Sequence, residues 1–217
     1  HSTGRRVALK QLARGAAATS AQRSRFTREV KVASNLHHPG LVTVYDAGTS
    51  SEDTPFLSME LVRGTRWDAW ADGVRERAGD SAVDEILSAF SQLCHAVGHA
   101  HANHVVHRDL KPSNVLVEAD DRPRVLDLGL AKVLEEAREV AHDSFRTISG
   151  EMLGSLAWMS PEQLAGKRDV QFQSDVFALG LMLYRLLTGK RPFAAGGGEP
   201  VPVSERCPAC PEALDSV

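Results

Sequence analysis

Residue types suited to acid–base, phosphate and metal chemistry crowd one octapeptide, His107-Arg108-Asp109-Leu110-Lys111-Pro112-Ser113-Asn114. A carboxylate can accept a proton or hold a cation, a lysine can offset an oxyanion, and an amide can orient either. A second carboxylate, Asp127, follows eighteen positions after Asp109 within Val125-Leu126-Asp127-Leu128-Gly129. Far upstream, Lys10 and Glu29 stand nineteen apart as an opposite-charge pair. Two other clusters carry less. Cys207-Pro208-Ala209-Cys210 has the spacing of half a zinc site, but no second Cys pair or neighbouring His completes it, which favours a loop thiol pair. His95 and His99 lie four apart, and His101 and His104 three apart; a polar helix face explains them better than a metal does.

These groups need a frame to position them. The chain has 217 residues, 42% hydrophobic and 24% charged, which is ordinary globular usage. A net charge of −3 gives no reason to expect a nucleic-acid partner. No window approaches the roughly 20 apolar residues needed to span a bilayer. Three cysteines are too few for a disulfide framework and fit a reducing compartment. Alternation predicts a strand over 6–10, with Val7 and Leu9 on one face and Ala8 and Lys10 on the other. Apolar residues at helical spacing predict a helix over 26–36, ended by His38-Pro39-Gly40. Strands are expected over 41–45 and 56–62, joined by a polar loop over 48–54. A long helix carries the stripe Val83, Ile86, Leu87, Phe90, Leu93, Cys94 and Val97. Short strands are expected at 105–106, 115–117 and 124–126, and a second strong helix over 174–187 with Val176, Leu179, Leu183, Leu186 and Leu187 apolar. The Pro- and Gly-rich tail reads as loop up to Pro211-Glu212-Ala213-Leu214, which looks like the start of a further helix, and no internal repeat is present.

The octapeptide, set between short strands and after a long helix, resembles the catalytic loop of protein kinases. Val125 to Gly129 is similar to that family's Asp-Phe-Gly motif, with Leu128 in place of Phe. The resemblance implies that Asp109 accepts the proton of a substrate hydroxyl, that Asn114 and Asp127 hold magnesium (or manganese), and that Lys111 offsets charge on the transferred phosphoryl group. Lys111 also implies Ser or Thr rather than Tyr as acceptor. Val7-Ala8-Leu9-Lys10 resembles the strand whose Lys contacts the ATP phosphates, with Glu29 as its ion-pair partner. Alone, such a pair is a common surface salt bridge, and Asp-Leu-Gly a common turn; the series of motifs gives both their meaning. Gly154 to Glu162 resembles the substrate-docking segment, with Ser160 at the Ala position of Ala-Pro-Glu. There Ser155 is expected to tie the segment to Asp109 and Lys111, with Trp158 and Glu162 shaping the docking surface. Ser174 to Gly180 resembles the core helix whose Asp, here Asp175, caps backbone amides of the catalytic loop. At the connector, Met59 is expected to gate the back of the ATP pocket. Main-chain groups of Glu60 and Val62 are expected to hydrogen-bond adenine, and Ala8 and Leu116 to sandwich it. Arg108, preceding the base, implies activation by phosphate on the following loop, with Thr147 preferred over Ser149.

The resemblance is to bacterial eukaryotic-type Ser/Thr kinases. It implies an α+β, two-lobed protein-kinase-like fold with a partial small β-rich lobe over 1–59, a hinge over 60–64, and a large mainly helical lobe over 65–217. The Gly-rich loop upstream and the C-terminal helices are expected to lie outside a chain cut from a longer, cytoplasmic protein, with a membrane anchor elsewhere left open. The expected activity is transfer of the ATP γ-phosphoryl group to Ser/Thr hydroxyls of proteins, itself included, weakened by the missing ends. A non-catalytic kinase-like scaffold is the alternative, and the docking segment disfavours a metabolite kinase. Expected partners are protein substrates, with no nucleic acid and no membrane contact within this segment; dimerisation for autophosphorylation is left open.

Overall fold

The computed structural model describes residues 4–11, 27–28, 30–50, 55–128, 155–167, 170–193 and 199–216. In the first lobe, β1 (Val7–Gln11), β2 (Val44–Thr49) and β3 (Pro55–Glu60) form an antiparallel sheet of order β1-β3-β2. The register pairs Ala8 with Met59 and Lys10 with Leu57. That register turns Ala8 and Lys10 toward the interior, whereas Val7 and Leu9 are 42% and 57% exposed. Residues 30–33 are helical, and Val30, Ala33 and Leu36 share one core with Leu57 and Met59. The expected strand over 41–45 starts later, at Val44. Leu41 and Val42 pair instead with the second lobe: Val42 N–H donates to Val125 O at 2.9 Å, and Val125 N–H donates to Gly40 O at 2.8 Å. Gly40 is required there, because a Cβ would lie 2.7 Å from Ala96 Cβ.

Residues 61–64 lead into the second lobe. Its small sheet has the order β4 (Thr65–Arg66), β5 (Val115–Val117), β6 (Pro123–Val125). Gly64 crosses β5 so closely that a Cβ would meet Val117 O at 2.4 Å. Around this sheet pack α1 (Trp67–Ala78), α2 (Ala82–Ala102), the single turn α3 (Pro161–Leu164), α4 (Phe172–Thr188) and α5 (Val203–Arg206). Trp67, Ile86, Leu93, Val115, Val125 and Met182 are wholly buried and form the centre of the core.

Three further sequence expectations need correction. The strand at 105–106 does not form, because Val105 N–H closes α2 by donating to Ala100 O at 2.9 Å. His104 N–H donates to His101 O, also at 2.9 Å, with His104 at φ 60°: a paired C-terminal closure on a non-glycine residue. Val176 is 60% exposed, since Ala178, Leu179, Met182, Leu183 and Leu186 already fill the inward face of α4. The tail is not all loop. It holds α5, while a 3-10 helix, Glu212–Ser216, falls where the start of a helix is expected and is joined to α5 by Ser204 Oγ donating to Asp215 Oδ2 at 2.6 Å.

Candidate active site

The octapeptide is fixed from below by α4. Asp175 is 1% exposed, and its carboxylate accepts three hydrogen bonds: from His107 N–H and His101 Nε2–H on Oδ2, and from Arg108 N–H on Oδ1, each at 2.8 Å. Because a carboxylate only accepts, His101 must carry its proton on Nε2. His107, 2% exposed, is set the same way: Asp109 N–H donates to its Nδ1 at 3.3 Å, so its Nε2–H donates to Leu126 O at 3.0 Å. Arg108 sits at φ 64°, a left-handed conformation that a non-glycine residue holds only under restraint. The restraint is visible, since its N–H is held by Asp175 and its carbonyl accepts from Gln163 Nε2 at 2.7 Å.

Above this platform the polar side chains converge. Asn114 Nδ2 donates to Asp109 O at 2.8 Å and to Asp109 Oδ2 at 3.1 Å. Lys111 Nζ lies 2.9 Å from Asp109 Oδ2 and donates to Ser155 Oγ at 2.9 Å. One lysine therefore ties the docking segment to the carboxylate. Leu126 N–H donates to Asn114 O at 2.8 Å, which carries the chain to Asp127.

Asp127 also has a left-handed backbone, φ 53°. Its Oδ2 accepts from Lys10 Nζ, which reaches in from β1. Its Oδ1 is buried with no hydrogen-bond partner among the described residues. A buried carboxylate oxygen left unpaired is costly, and a cation ligated there removes the cost. With the amide of Asn114 turned by Asp109, this donor set of hard oxygens fits magnesium. Leu128, in place of the family's Phe, is 2% exposed and packed in the core. Glu29, the expected partner of Lys10, lies outside the described residues, as do Thr147 and Ser149.

The docking segment is anchored at α3. Ser160 N–H donates to Gln163 Oε1 at 3.0 Å, and Ser160 Oγ donates to Ser174 Oγ at 2.9 Å. Ser174 Oγ in turn donates to Glu162 Oε1, and this bond is the main reason the Glu162 carboxyl lies below its ordinary value. Trp158 is part-buried against the core, with the Arg191 guanidinium 5.9 Å from its ring centre.

At the connector Met59 is buried, and Ala8 and Val62 pack against the core. Leu116, half-buried, lies between Arg66 and Arg124 in the register of the second sheet. Glu60 N–H already donates to Thr43 O at 2.9 Å, so an adenine contact at this residue falls to its carbonyl. Its side chain has a role that the sequence did not announce. Glu60 Oε2 lies 2.5 Å from Arg124 Nη2, and Arg124 Nη1 donates to Glu118 Oε2 at 3.2 Å. Arg124 Nη2 also donates to Leu41 O at 3.2 Å. Burial pushes the Glu60 carboxyl up, but hydrogen bonds from Arg124 and Thr43 outweigh it and hold the group below its ordinary value. For Arg124, burial pulls the opposite way and the two carboxylates win, raising it. His101, Gln163, Ser174 and Arg124 were therefore missed as positioning residues.

A small β lobe and a helical lobe, meeting at a cleft that holds Lys10, Asp109, Asn114 and Asp127, define the architecture of a protein kinase. A family model described as "Protein kinase domain" matches residues 1–206. The chain belongs to that family, among the bacterial eukaryotic-type Ser/Thr kinases. It is 34% identical over 203 residues to serine/threonine-protein kinase PknB of Mycobacterium leprae, covering 92% of this chain and 30% of that protein. To the DNA damage-responsive serine/threonine-protein kinase RqkA of Deinococcus radiodurans it is 37% identical over 228 residues, covering 99% and 32%. The chain thus spans about a third of the length of these relatives. The PknI kinase domain of Mycobacterium tuberculosis superposes with a TM-score of 0.67 at 28% identity, covering 93% of this chain and 71% of that one.

Proposed function

We propose that this domain transfers the γ-phosphoryl group of ATP to Ser and Thr hydroxyls of proteins, itself among them. The observation that carries the reading is the bonded set in which Asp109 meets Asn114 and Lys111 and Lys111 meets Ser155, linked through the Leu126 N–H to Asn114 O bond to the chain that carries the Lys10–Asp127 pair. Asp109 takes the proton of an incoming hydroxyl as that oxygen attacks the γ-phosphorus. Lys111 and Asn114 hold Asp109 Oδ2 at two points, so the carboxylate meets the hydroxyl in a fixed orientation. Lys111 also offsets the charge that gathers on the transferred group. Lys10 binds the α- and β-phosphates, with Asp127 and Glu29 orienting it. Ala8, Met59, Val62, Leu116 and the Glu60 carbonyl form the adenine slot. Asp127 and Asn114 would hold magnesium, which neutralises the phosphate oxygens when bound.

Ser155, Trp158 and Glu162 present a peptide-sized surface, which favours protein over small-molecule acceptors. Phosphate on Thr147, with Ser149 second, would bring about −1.5 to −2 charges for Arg108 to pair with and would order the docking segment. Among the described residues no helix is long and apolar enough to cross a membrane. Incubating the full chain with γ-labelled ATP and either a basic protein or an aminoglycoside separates the readings. Phosphoserine and phosphothreonine on protein are the expected products. Label on the aminoglycoside alone identifies a metabolite kinase, and nucleotide binding without turnover identifies a scaffold.

A further inference from the structure

Cys207 and Cys210 take no part in the cleft, yet they are placed for chemistry of their own. They close the turn after α5: Cys210 N–H donates to Cys207 O at 2.9 Å, and the Cys210 thiol donates to Cys207 Sγ at 3.0 Å. A four-residue turn closed this way holds its end Cα atoms within about 7 Å, inside the span that a disulfide bridges. Pro208 fixes φ at the first central position, so the turn is preset and the sulfurs face each other without backbone rearrangement.

The two thiols differ. Cys210 is 5% exposed within the core, whereas Cys207 is half-buried. Burial, then the bond to Cys207, push the Cys210 thiol up to about 12, so it keeps its proton and acts as the donor. Cys207, the more exposed of the two, is the sulfur that an oxidant from solvent reaches first. Cys94 stands on α2, its thiol pushed up by burial. Among the described residues no group of three His, Cys, Asp or Glu side chains gathers to hold a metal, so zinc is short of ligands here.

We infer that Cys207 and Cys210 form a reversible intrachain disulfide, with Cys207 the attacking sulfur and Cys210 the resolving one. With a peroxide as oxidant, the Cys207 thiolate attacks one peroxide oxygen and the O–O bond breaks, leaving a sulfenic acid and hydroxide. The Cys210 proton passes to that hydroxide, giving water. Cys210 sulfur then attacks Cys207 sulfur, the S–O bond breaks, and the departing hydroxide takes up the proton that Cys207 had first released. Two thiols and one hydrogen peroxide become one disulfide and two waters, with two electrons moving from sulfur to oxygen. A small dithiol reverses the step by exchange. The bond locks the turn that follows α5, the helix packed on α4.

The test titrates the full chain with hydrogen peroxide, alkylates it, and maps the peptides by mass. Cys207 and Cys210 should lose alkylation together, the peptide spanning them should lighten by two hydrogens, Cys94 should stay alkylatable, and dithiothreitol should restore all sites. In Cys210→Ser, Cys207 should be trapped as sulfenic acid by a dimedone probe; in Cys207→Ser, Cys210 should oxidise about tenfold more slowly or less. The wild-type map decides the matter even if a variant fails to fold. Both cysteines remaining alkylatable at doses that oxidise a reference Cys-x-x-Cys dithiol would overturn the inference. So would a disulfide to Cys94 or between chains, or stoichiometric zinc protecting both sulfurs until a chelator is added.

Discussion

The two walls of the cleft are built on different principles. On the large-lobe wall, Asp109 belongs to a loop whose backbone is held at His107 and Arg108 by one buried carboxylate, at Asp109 by the His107 ring, and at the Arg108 carbonyl by Gln163. On the small-lobe wall, Lys10 rides on a strand whose alternate residues are open to solvent, and its ammonium is set by an ion pair with Asp127. Asp109, the proposed proton acceptor, is thus positioned by the fold before any ligand arrives, whereas Lys10, the proposed phosphate-binding cation, is positioned by charge and can follow its ligand. Arg124 lies between the two, clasping Glu60 and Leu41 O on one side and Glu118 on the other.

This contrast predicts a graded set of losses in stability, read by urea unfolding. Asp175→Ala should cost most, about 3–5 kcal/mol, because it strands a buried and a part-buried amide at roughly 1–3 kcal/mol each along with His101. A loss below about 1 kcal/mol would show that the loop does not depend on α4. Arg124→Met should cost an intermediate amount, about 1–3 kcal/mol, because Glu60 and Glu118 lose their common partner. Lys10→Met should cost least, below about 1 kcal/mol, since the Lys10 side chain is 37% exposed and water can reach the Asp127 oxygen it leaves. It should nonetheless weaken ATP binding, so a Lys10 variant that unfolds the protein would erase the contrast.

The clasp also has a pH signature. The Glu60 carboxyl is held below its ordinary value of 4.5. The stability it contributes is therefore fully present above that value and is lost as pH falls through the lowered folded value. Glu60→Gln should lower stability near neutrality and flatten the acid side of the stability–pH curve below about pH 4.5, so that variant and wild type converge at low pH. An unchanged acid limb would remove Glu60 from the clasp.

What the sequence disclosed follows the same division. Asp109, Lys111 and Asn114 were legible because their chemistry is packed into one contiguous run, and Lys10 and Asp127 because short apolar strands frame them. His101, Gln163 and Arg124 were not, since each acts on a residue far away in sequence: Asp175, the Arg108 carbonyl, Glu60. Composition gives no sign of such pairings. The absent strand at 105–106 fails for a local reason, the use of the Val105 amide to close α2. The exposure of Val176 is tertiary, since nothing in the period of α4 says how wide its covered face will be.

The most direct measurement is the single-turnover rate of phosphoryl transfer in Asp109→Asn, taken together with its affinity for magnesium-ATP. Removing the proton acceptor while leaving Asp127, Asn114 and Lys10 in place should lower the rate by about 10²–10⁴-fold. Nucleotide affinity should stay within about twofold of wild type, because Asp109 holds the hydroxyl and not the phosphates. Transfer by Asp109→Asn at the wild-type rate would contradict the assignment of Asp109 as the group that takes the substrate proton.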